Sequence, residues 1–302
     1  MTERGSDIIF ITGGTGFVGS ALAMAWLERD ADNAVVVQTR CPELTPTHQR
    51  IKYVASYDDV DQPIRALVNL AGAPIADKRW TTRRKKLLRD SRIKLTESLF
   101  DSLSRTRYIP ATVLNASAIG FYGLGNSAYD ELTPHGAGFA AELCCQWEQA
   151  AKQFEPLARL IILRLGVVLG DRGALNKLLP IFNLGIGGPI GDGSQWFSWI
   201  HITDVVCMII ESILNPEWNG TYNATSPKPV LQRDFARALG RALKRPAFLT
   251  VPSFVLSAIY GEMARELLIG GQKVLPRRAI DTGFEFAYPS LVPALHSILA
   301  HG

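Results

Sequence analysis

The chain has 302 residues, 47% hydrophobic and 20% charged, with a net charge of +4 and four cysteines, Cys41, Cys144, Cys145 and Cys207. The length allows one large domain or two smaller ones, and the composition is that of an ordinary globular protein with no demand for a membrane or nucleic-acid partner. The cysteines show neither a disulfide framework nor CxxC or Cys/His zinc spacing, so reduced thiols and no metal site are expected.

The opening, MTERGSDIIFITGG, reaches a glycine cluster after only a short apolar run. It lacks a signal-peptide core and a spanning segment, which makes the cytoplasm the expected location. Asp7 to Thr12 is a continuously apolar, β-branched run, the pattern of a strand buried on both faces of a parallel sheet. Next comes TGGTGFVGS, Thr12 to Ser20, with Gly13, Gly16 and Gly19 spaced GxxGxxG and an apolar helical stretch over Phe17 to Arg29. Glycines suit such a turn because it must leave the strand sharply, bring backbone N–H groups close to a pyrophosphate and seat the helix near the strand. Thr12, Gly13, Gly14, Thr15, Gly16, Phe17, Val18 and Gly19 are therefore expected to border a dinucleotide; a purely structural glycine turn is the alternative.

A second buried-strand run, Ala34 to Gln38, completes a βαβ unit and ends at Thr39 and Arg40, with no acidic residue before Glu43. An acid there would bind a ribose 2′-hydroxyl and an arginine a 2′-phosphate, so the expected cofactor is NADP(H) rather than NAD. The other reading of Arg40 is a solvated surface cation. The strand Ala66 to Leu70 runs into NLAGAPIADKRW, where Asn69, Leu70, Ala71 and Gly72 would let the loop lie against the cofactor.

Lys78 to Lys94 holds nine of the 32 basic residues and one acid, Asp90. The helical stripe Leu88, Leu95, Leu99 turns most of that charge outward, which reads as a solvated face without a nucleic-acid role. Ser91 and Arg92 lie near the stripe, where a pocket can use them. Two further buried runs, Thr112 to Ala116 and Leu160 to Leu165, are separated by a helical pattern over Gly138 to Ala151. Strands alternating with helices predict an α/β fold with a Rossmann-type, doubly wound parallel sheet. From Asp171 a Gly/Pro-rich texture begins, including NLGIGGPIGDG, and predicts a smaller, irregular C-terminal substrate lobe. The expected division is 1–170 with 201–226 for the dinucleotide-binding domain, and 171–200 with 227–302 for the lobe. Asn183 to Trp199 reads as a wall and lid, with Trp196, Phe197 and Trp199 placed to cover a ring. His201, in WIHITD, suits a helix start better than catalysis.

TGGTGFVGS, NLAG, NASAIGFYG (Asn115 to Gly123), RLGVVLG (Arg164 to Gly170) and WIHITDVV together resemble the signatures of the extended short-chain dehydrogenase/reductase superfamily. GAPIADKRW, LGIGGPIGDG and GGQKVLPRRAIDTGFEF are similar to its atypical "epimerase family" branch, related to short-chain dehydrogenase family 39U and NAD-dependent epimerase/dehydratase-like. The resemblance spans essentially the whole chain. It implies an NADP-binding fold with an unassigned substrate, a nucleotide sugar or a small carbonyl compound, and places Arg92, Gly166 and Val167 beside the cofactor.

The superfamily's chemistry uses a serine with a Tyr-xxx-Lys on the following helix; the tyrosine exchanges the proton and the lysine lowers its pKa. Ser117 matches the serine. The helix GFAAELCCQWEQAA has neither of the other two: Phe139 or Ala140 falls at the tyrosine position and Leu143 or Cys144 at the lysine position. Candidate replacements are Tyr122, at the active-site end of the serine strand, and Glu142, one helical turn from the missing tyrosine. A tyrosine with a pKa of about 10 needs a nearby cation to act as a base. Cys144 falls beside the helix stripe Phe139, Leu143, Trp147 and is expected to be packing. The alternative to an enzyme is an NADP-binding regulatory or scaffold protein that has lost catalysis. The basic helix, on a face used for dimerisation in the superfamily, argues for a monomer or weak homodimer.

Overall fold

The computed structural model describes residues 7–45 and 48–300. In chain order the first half runs β1 (Ile8–Thr12), α1 (Phe17–Arg29), β2 (Ala34–Gln38), β3 (Ile51–Val54), β4 (Ala66–Asn69), α2 (Thr82–Arg89), α3 (Leu95–Arg105), β5 (Thr112–Ala118), β6 (Ala128–Tyr129) and α4 (Phe139–Ala151). The second half adds β7 (Arg159–Leu165), β8 (Val167–Leu169), α5 (Ala174–Asn183), β9 (Trp196–Phe197), β10 (Trp199–His201), α6 (Ile202–Leu214) and β11 (Gly220–Ala224). The chain closes with β12 (Val230–Leu231), α7 (Gln232–Ala242), α8 (Ser253–Tyr260), α9 (Glu262–Ala264), β13 (Lys273–Val274), α10 (Arg277–Asp281) and α11 (Leu291–Ala300).

Seven parallel strands form the main sheet in the order β11-β7-β5-β4-β1-β2-β3. The fold is the Rossmann-type doubly wound α/β architecture. Alternation within β1 shows why each strand is apolar throughout. Ile9 and Ile11 enter one core with Leu22 and Trp26 of α1 and Met208 and Ile209 of α6. Ile8 and Phe10 enter the opposite core with Leu99 and Leu103 of α3 and Phe154. Every side chain of the strand is buried, and full burial of such a residue contributes roughly 1.5–3 kcal/mol. The sheet order turns back at β1, with β2 and β3 on one side and β4 and β5 on the other, so a crevice opens at the carboxyl ends of β1 and β4.

β3 was not among the expected strands. It is an edge strand of only four residues, IKYV, with three of them partly or fully exposed, and so lacks the continuous apolar run. The basic helix also differs from a simple amphipathic helix: between α2 and α3 the backbone passes through a π-helical stretch, Asp90–Lys94, without leaving the helix axis. The aromatic lid expectation is corrected for Trp199. Trp199 is fully buried, its indole N–H donating to Lys228 O at 3.3 Å, and Phe197 packs on Phe235 at 4.3 Å between ring centroids. Trp199 belongs to the C-terminal core with Leu175, Leu239 and Leu295 and cannot cover a ligand. That lobe is pinned to the sheet layer by Asp204 of α6, whose carboxylate accepts from Ala287 N at 2.7 Å and Tyr288 N at 3.1 Å.

Candidate functional site

The glycine turn is packed so closely that side chains are excluded. Gly13 has φ 69°, the left-handed region that favours glycine, and a Cβ there would stand 3.0 Å from the Ala71 backbone. A Cβ on Gly19 would overlap Gly13 O and lie 2.7 Å from Gly14 Cα; one on Gly14 would lie 2.7 Å from Val37. Beneath the turn, Thr12 donates to Asn69 Oδ1 at 2.6 Å and accepts from Ala71 N at 3.2 Å. Asn69 in turn donates to Asn115 Oδ1 at 2.6 Å and Thr96 Oγ1 at 2.9 Å. This buried ladder fixes β1, β4, β5 and α3 relative to one another. Helix α1, with Gly16 at its N-cap position, has no side-chain cap and no acid in its first turn, leaving its terminal N–H groups and dipole open to an anion.

Thr15 and Gly16 are exposed, Val18 and Leu70 half-buried, and Phe17 is tucked under Gly170 and Gly173. Thr39 is half-buried and Arg40 exposed at the end of β2, and Arg40 forms no ion pair among the described residues. Gly166 lies between β7 and β8, its N–H donating to Ala224 O at 2.9 Å, and Val167 opens β8.

Arg92 is carried by the π-helical stretch. π-bulges are rare and concentrate at functional sites, because one extra residue per turn redirects side chains. The guanidinium of Arg92 rests against Gly72, where a Cβ would come within 2.8 Å of Cζ, and lies 5.3 Å from the Trp147 ring centroid. Its only polar partners are Leu88 O at 3.3 Å and Ser91 Oγ at 3.5 Å, with no carboxylate paired to it among the described residues. Burial lowers its pKa from the ordinary guanidinium value, with Cys144 acting in the opposite direction. The neighbouring Ser91 Oγ accepts from Ala73 N at 3.0 Å and so holds the loop after β4.

Ser117, Tyr122 and Glu142 do not converge. The Ser117 hydroxyl is buried and donates its single proton to Glu148 Oε1 at 2.7 Å. Glu148 is in bidentate contact with Arg164, Nε to Oε1 and Nη2 to Oε2 both at 2.8 Å. Arg164 Nη1 donates to the Tyr122 hydroxyl at 2.9 Å, and that hydroxyl donates to Asn223 Oδ1 at 2.7 Å. The expected free donor and free base are thus both members of one buried chain. The cation expected near Tyr122 is present, as Arg164 and not Arg92, yet burial outweighs it and pushes the phenol up to about 12. Glu142 points outward, 57% exposed, with Arg89 3.7 Å away.

Four residues of this arrangement were not singled out from the sequence: Glu148, Arg164, Asn223 and Glu266. Arg164 and Glu148 are 16 positions apart on different elements, and only the parallel register of β5 with β7, which sets Ser117 opposite Arg164, brings them together. Glu266 reaches from the C-terminal segment to cap α4, accepting from Phe139 N at 3.0 Å and Ala140 N at 2.9 Å. A signal existed for the first pair, since a charged residue inside the apolar run LIILRL requires a buried counter-charge.

At the positions of the missing motif, Ala140 packs on Gly120, where a Cβ would be 3.1 Å from its own, and the buried Cys144 sulfur lies beside the same glycine. Burial, then the charge of Glu148, pushes the Cys144 thiol up to about 11, which keeps it neutral. His201 caps α6, its Nδ1 accepting from Thr203 N at 3.1 Å. Among the described residues no three His, Cys, Asp or Glu side chains converge on a metal-sized site, and no helix is long and apolar enough to cross a membrane.

Comparison with known proteins gives two family matches: residues 9–224 to the NAD dependent epimerase/dehydratase family and residues 251–298 to a domain of unknown function, DUF1731. An Arabidopsis thaliana protein described as a chloroplastic homolog of epimerase family protein SDR39U1 is 38% identical, over 96% of this chain and 86% of its own length. The Bos taurus epimerase family protein SDR39U1 is 34% identical over 97% and 99% of the two chains. The crystal structure of human epimerase family protein SDR39U1 (isoform 2) with NADPH superimposes with a TM-score of 0.90 at 32% identity, covering 98% of this chain and all of that one.

Proposed function

The chain belongs to the NAD dependent epimerase/dehydratase family, and we propose that it is an NADP-binding oxidoreductase or epimerase acting on a small carbonyl compound or a nucleotide sugar. The observation that carries this reading is the cleft itself. It combines a glycine cradle with no room for a Cβ, an uncapped helix terminus, and two cations, Arg40 and Arg92, without carboxylate partners among the described residues. Such a cradle fits a pyrophosphate, and Arg40 fits the additional 2′-phosphate of NADP(H). The NADPH present in the human relative supports the same choice over NAD.

When bound, NADP(H) supplies or takes up hydride. The residues around it bind and orient: Gly13 to Gly19 take the pyrophosphate, Asn69 to Gly72 border the adenosine half, and Gly166 and Val167 close the far side. We place Arg92, whose charge acts on Cys144, near the superfamily's lysine position, which falls at Leu143 or Cys144. Its guanidinium N–H groups are donors for an oxygen on which negative charge develops, a role that needs no proton from the arginine. Because the protons of Ser117 and Tyr122 are engaged within the protein, we assign the proton exchange to water and those two residues to holding the floor of the cleft. We further read the protein as cytoplasmic and monomeric or weakly dimeric, with a small-molecule substrate and no nucleic-acid partner. Against a nucleic-acid role stand the ion pairs on α2, Lys85 with Glu262 and Lys86 with Asp90.

The engagement of both hydroxyls favours one second reading, a cofactor-binding regulatory or scaffold protein without turnover. Titration with NADPH and NADH, followed by NADPH oxidation against a panel of aldehydes and ketones and by product analysis of nucleotide sugars incubated with NADP+, separates the two. Turnover that Arg92→Met abolishes while NADPH still binds supports the enzyme. Tight NADPH binding with no turnover on any member supports the second reading, and failure to bind either dinucleotide sinks both.

A further inference from the structure

Away from the dinucleotide cleft, α7 presents an arginine on each successive turn: Arg233, Arg237 and Arg241, with Arg245 just beyond the helix end. Together with Asp192 and Phe248 they line a cavity of about 480 Å³ between α7, the 189–192 loop and the 247–250 segment. None of the glycine turn or of the loop after β4 contributes to it. Like charges at i, i+4 on a helix repel, and a cation in the first turn opposes the helix dipole. Arg241 and Arg245, near the carboxyl end, gain from that dipole; Arg233, the second residue of the helix, does not.

Compensation from acids is slight. Arg237 has Asp234 3.6 Å away on the helix itself, and no ion pair is formed by Arg233, Arg241 or Arg245 among the described residues. Asp192 is the one acid in the lining, and its Oδ1 already accepts from Ser194 N at 2.9 Å and Ser194 Oγ at 2.7 Å. The turn after α7 adds a further cation at a cost. Lys244 has φ 54°, the left-handed conformation that helix ends usually give to glycine, while Arg245 N donates back to Gly240 O at 2.8 Å. The lining thus concentrates planar, multidentate donors around a concave space with one aromatic ring, Phe248, 72% exposed at its edge.

We propose that this cavity is a second binding site, for a multiply charged phosphate ester or diphosphate, independent of the dinucleotide cleft. Guanidinium groups bind phosphate oxygens bidentately, and several converging on one space select for more than one negative charge. The volume suits a small molecule, and Phe248 offers a face for a ring attached to the phosphate. Phosphate chemistry is shared by soluble esters and by phosphorylated lipid headgroups, and the soluble-probe and vesicle arms of the test separate the two.

The test is calorimetric titration of inorganic pyrophosphate into the full chain with saturating NADPH, so that the glycine turn is not available to the probe. The expected result is one pyrophosphate per chain, binding that weakens with added salt, and a loss of at least about tenfold in affinity in Arg237→Glu/Arg241→Glu. Arg237→Gln/Arg241→Gln should lie between that variant and the parent, with the urea midpoint and NADPH affinity of both variants unchanged. Absence of binding at millimolar pyrophosphate, or equal binding by the charge-reversed variant, overturns the site. Capture of the chain by phosphoinositide-bearing vesicles without any binding of soluble pyrophosphate overturns the small-molecule assignment. The proposal does not rest on the cofactor reading: should NADPH fail to bind, the comparison of parent and charge-reversed chains still decides it.

Discussion

Replacing Glu148 by glutamine keeps the shape of the side chain and removes the charge that Arg164 requires. Both residues are nearly sealed from solvent, at 6% and 5% exposure, and the guanidinium spends two N–H groups on the carboxylate and one on Tyr122 while its Cζ lies 3.4 Å from the Phe121 ring centroid. After Glu148→Gln a buried cation faces an amide whose NH₂ group is a donor in at least one position where an acceptor is needed. Breaking a buried pair in this way costs about 3–5 kcal/mol, and Ser117 also loses its charged acceptor. For a chain of this size we expect a fall in Tm of roughly 6–15 °C, at ~2–3 °C per kcal/mol. Arg164→Met with Glu148→Leu should recover most of the loss, since the paired charges together return little beyond their desolvation cost. Urea denaturation of the parent, Glu148→Leu, Arg164→Met and the double variant closes the cycle and gives the coupling energy. A loss below about 1 kcal/mol in Glu148→Gln, or a double variant as costly as the sum of the singles, would refute the pairing as the organiser of this floor.

Three further expectations concern the cleft and the pH response. Arg40→Ala should reduce the preference for NADPH over NADH by at least about tenfold, read as two Kd values by fluorescence titration, with NADH affinity unchanged. Gly19→Ala places a methyl against the Gly13 carbonyl and Gly14 Cα, backbone that cannot rotate away, so it should lose about 1–3 kcal/mol of stability and most dinucleotide affinity; normal NADPH binding by this variant would refute the cradle. His201 is depressed to about 4 by burial, below its ordinary unfolded value of about 6.5, so only the unfolded chain takes up its proton between those limits. Its contribution is present above pH 6.5 and is lost as pH falls toward 4, about 2 kcal/mol between pH 7 and 5. His201→Asn keeps a side-chain acceptor at the start of α6, and the stability difference between pH 7 and 5 should shrink by that amount in urea melts.

What the sequence made legible was whatever depends on local pattern. The strands β1, β2, β4, β5 and β7 are buried on both faces, and each showed as an apolar run; β3, at the sheet edge with Lys52 exposed, did not. The glycine turn was readable because its constraint is local in the chain. Arg164 was passed over inside a signature because its meaning lies in Glu148, on another element, and in the β5–β7 register that faces it to Ser117. Likewise Trp199, two positions from His201, read as a lid aromatic because the sequence around it does not disclose that Leu175, Leu239 and Leu295 close over it.

The absence of Tyr-xxx-Lys from α4 takes on a different meaning once the packing is known. The helix has not simply lost two side chains from an otherwise open site. Ala140 lies against Gly120, leaving no gap for a phenol, and Glu266 brings its carboxylate to the N–H groups of Phe139 and Ala140 at the start of the helix. Cys144 is enclosed as a neutral thiol, and a cation that acts on it comes from another helix, Arg92 on the π-helical stretch. A lysine at position 144 would bury an ammonium that feels the Arg92 guanidinium, while Glu148, the carboxylate acting on the same site, is already committed to Arg164. Small residues on α4, the π-bulge and Arg92 therefore form one consistent solution. Cys144→Lys alone should be destabilising, and Cys144→Lys combined with Arg92→Met should be better tolerated than the single change. Thermal melts of the two variants decide the matter: a Cys144→Lys protein as stable as the parent would show that Arg92 does not occupy the site of the missing cation.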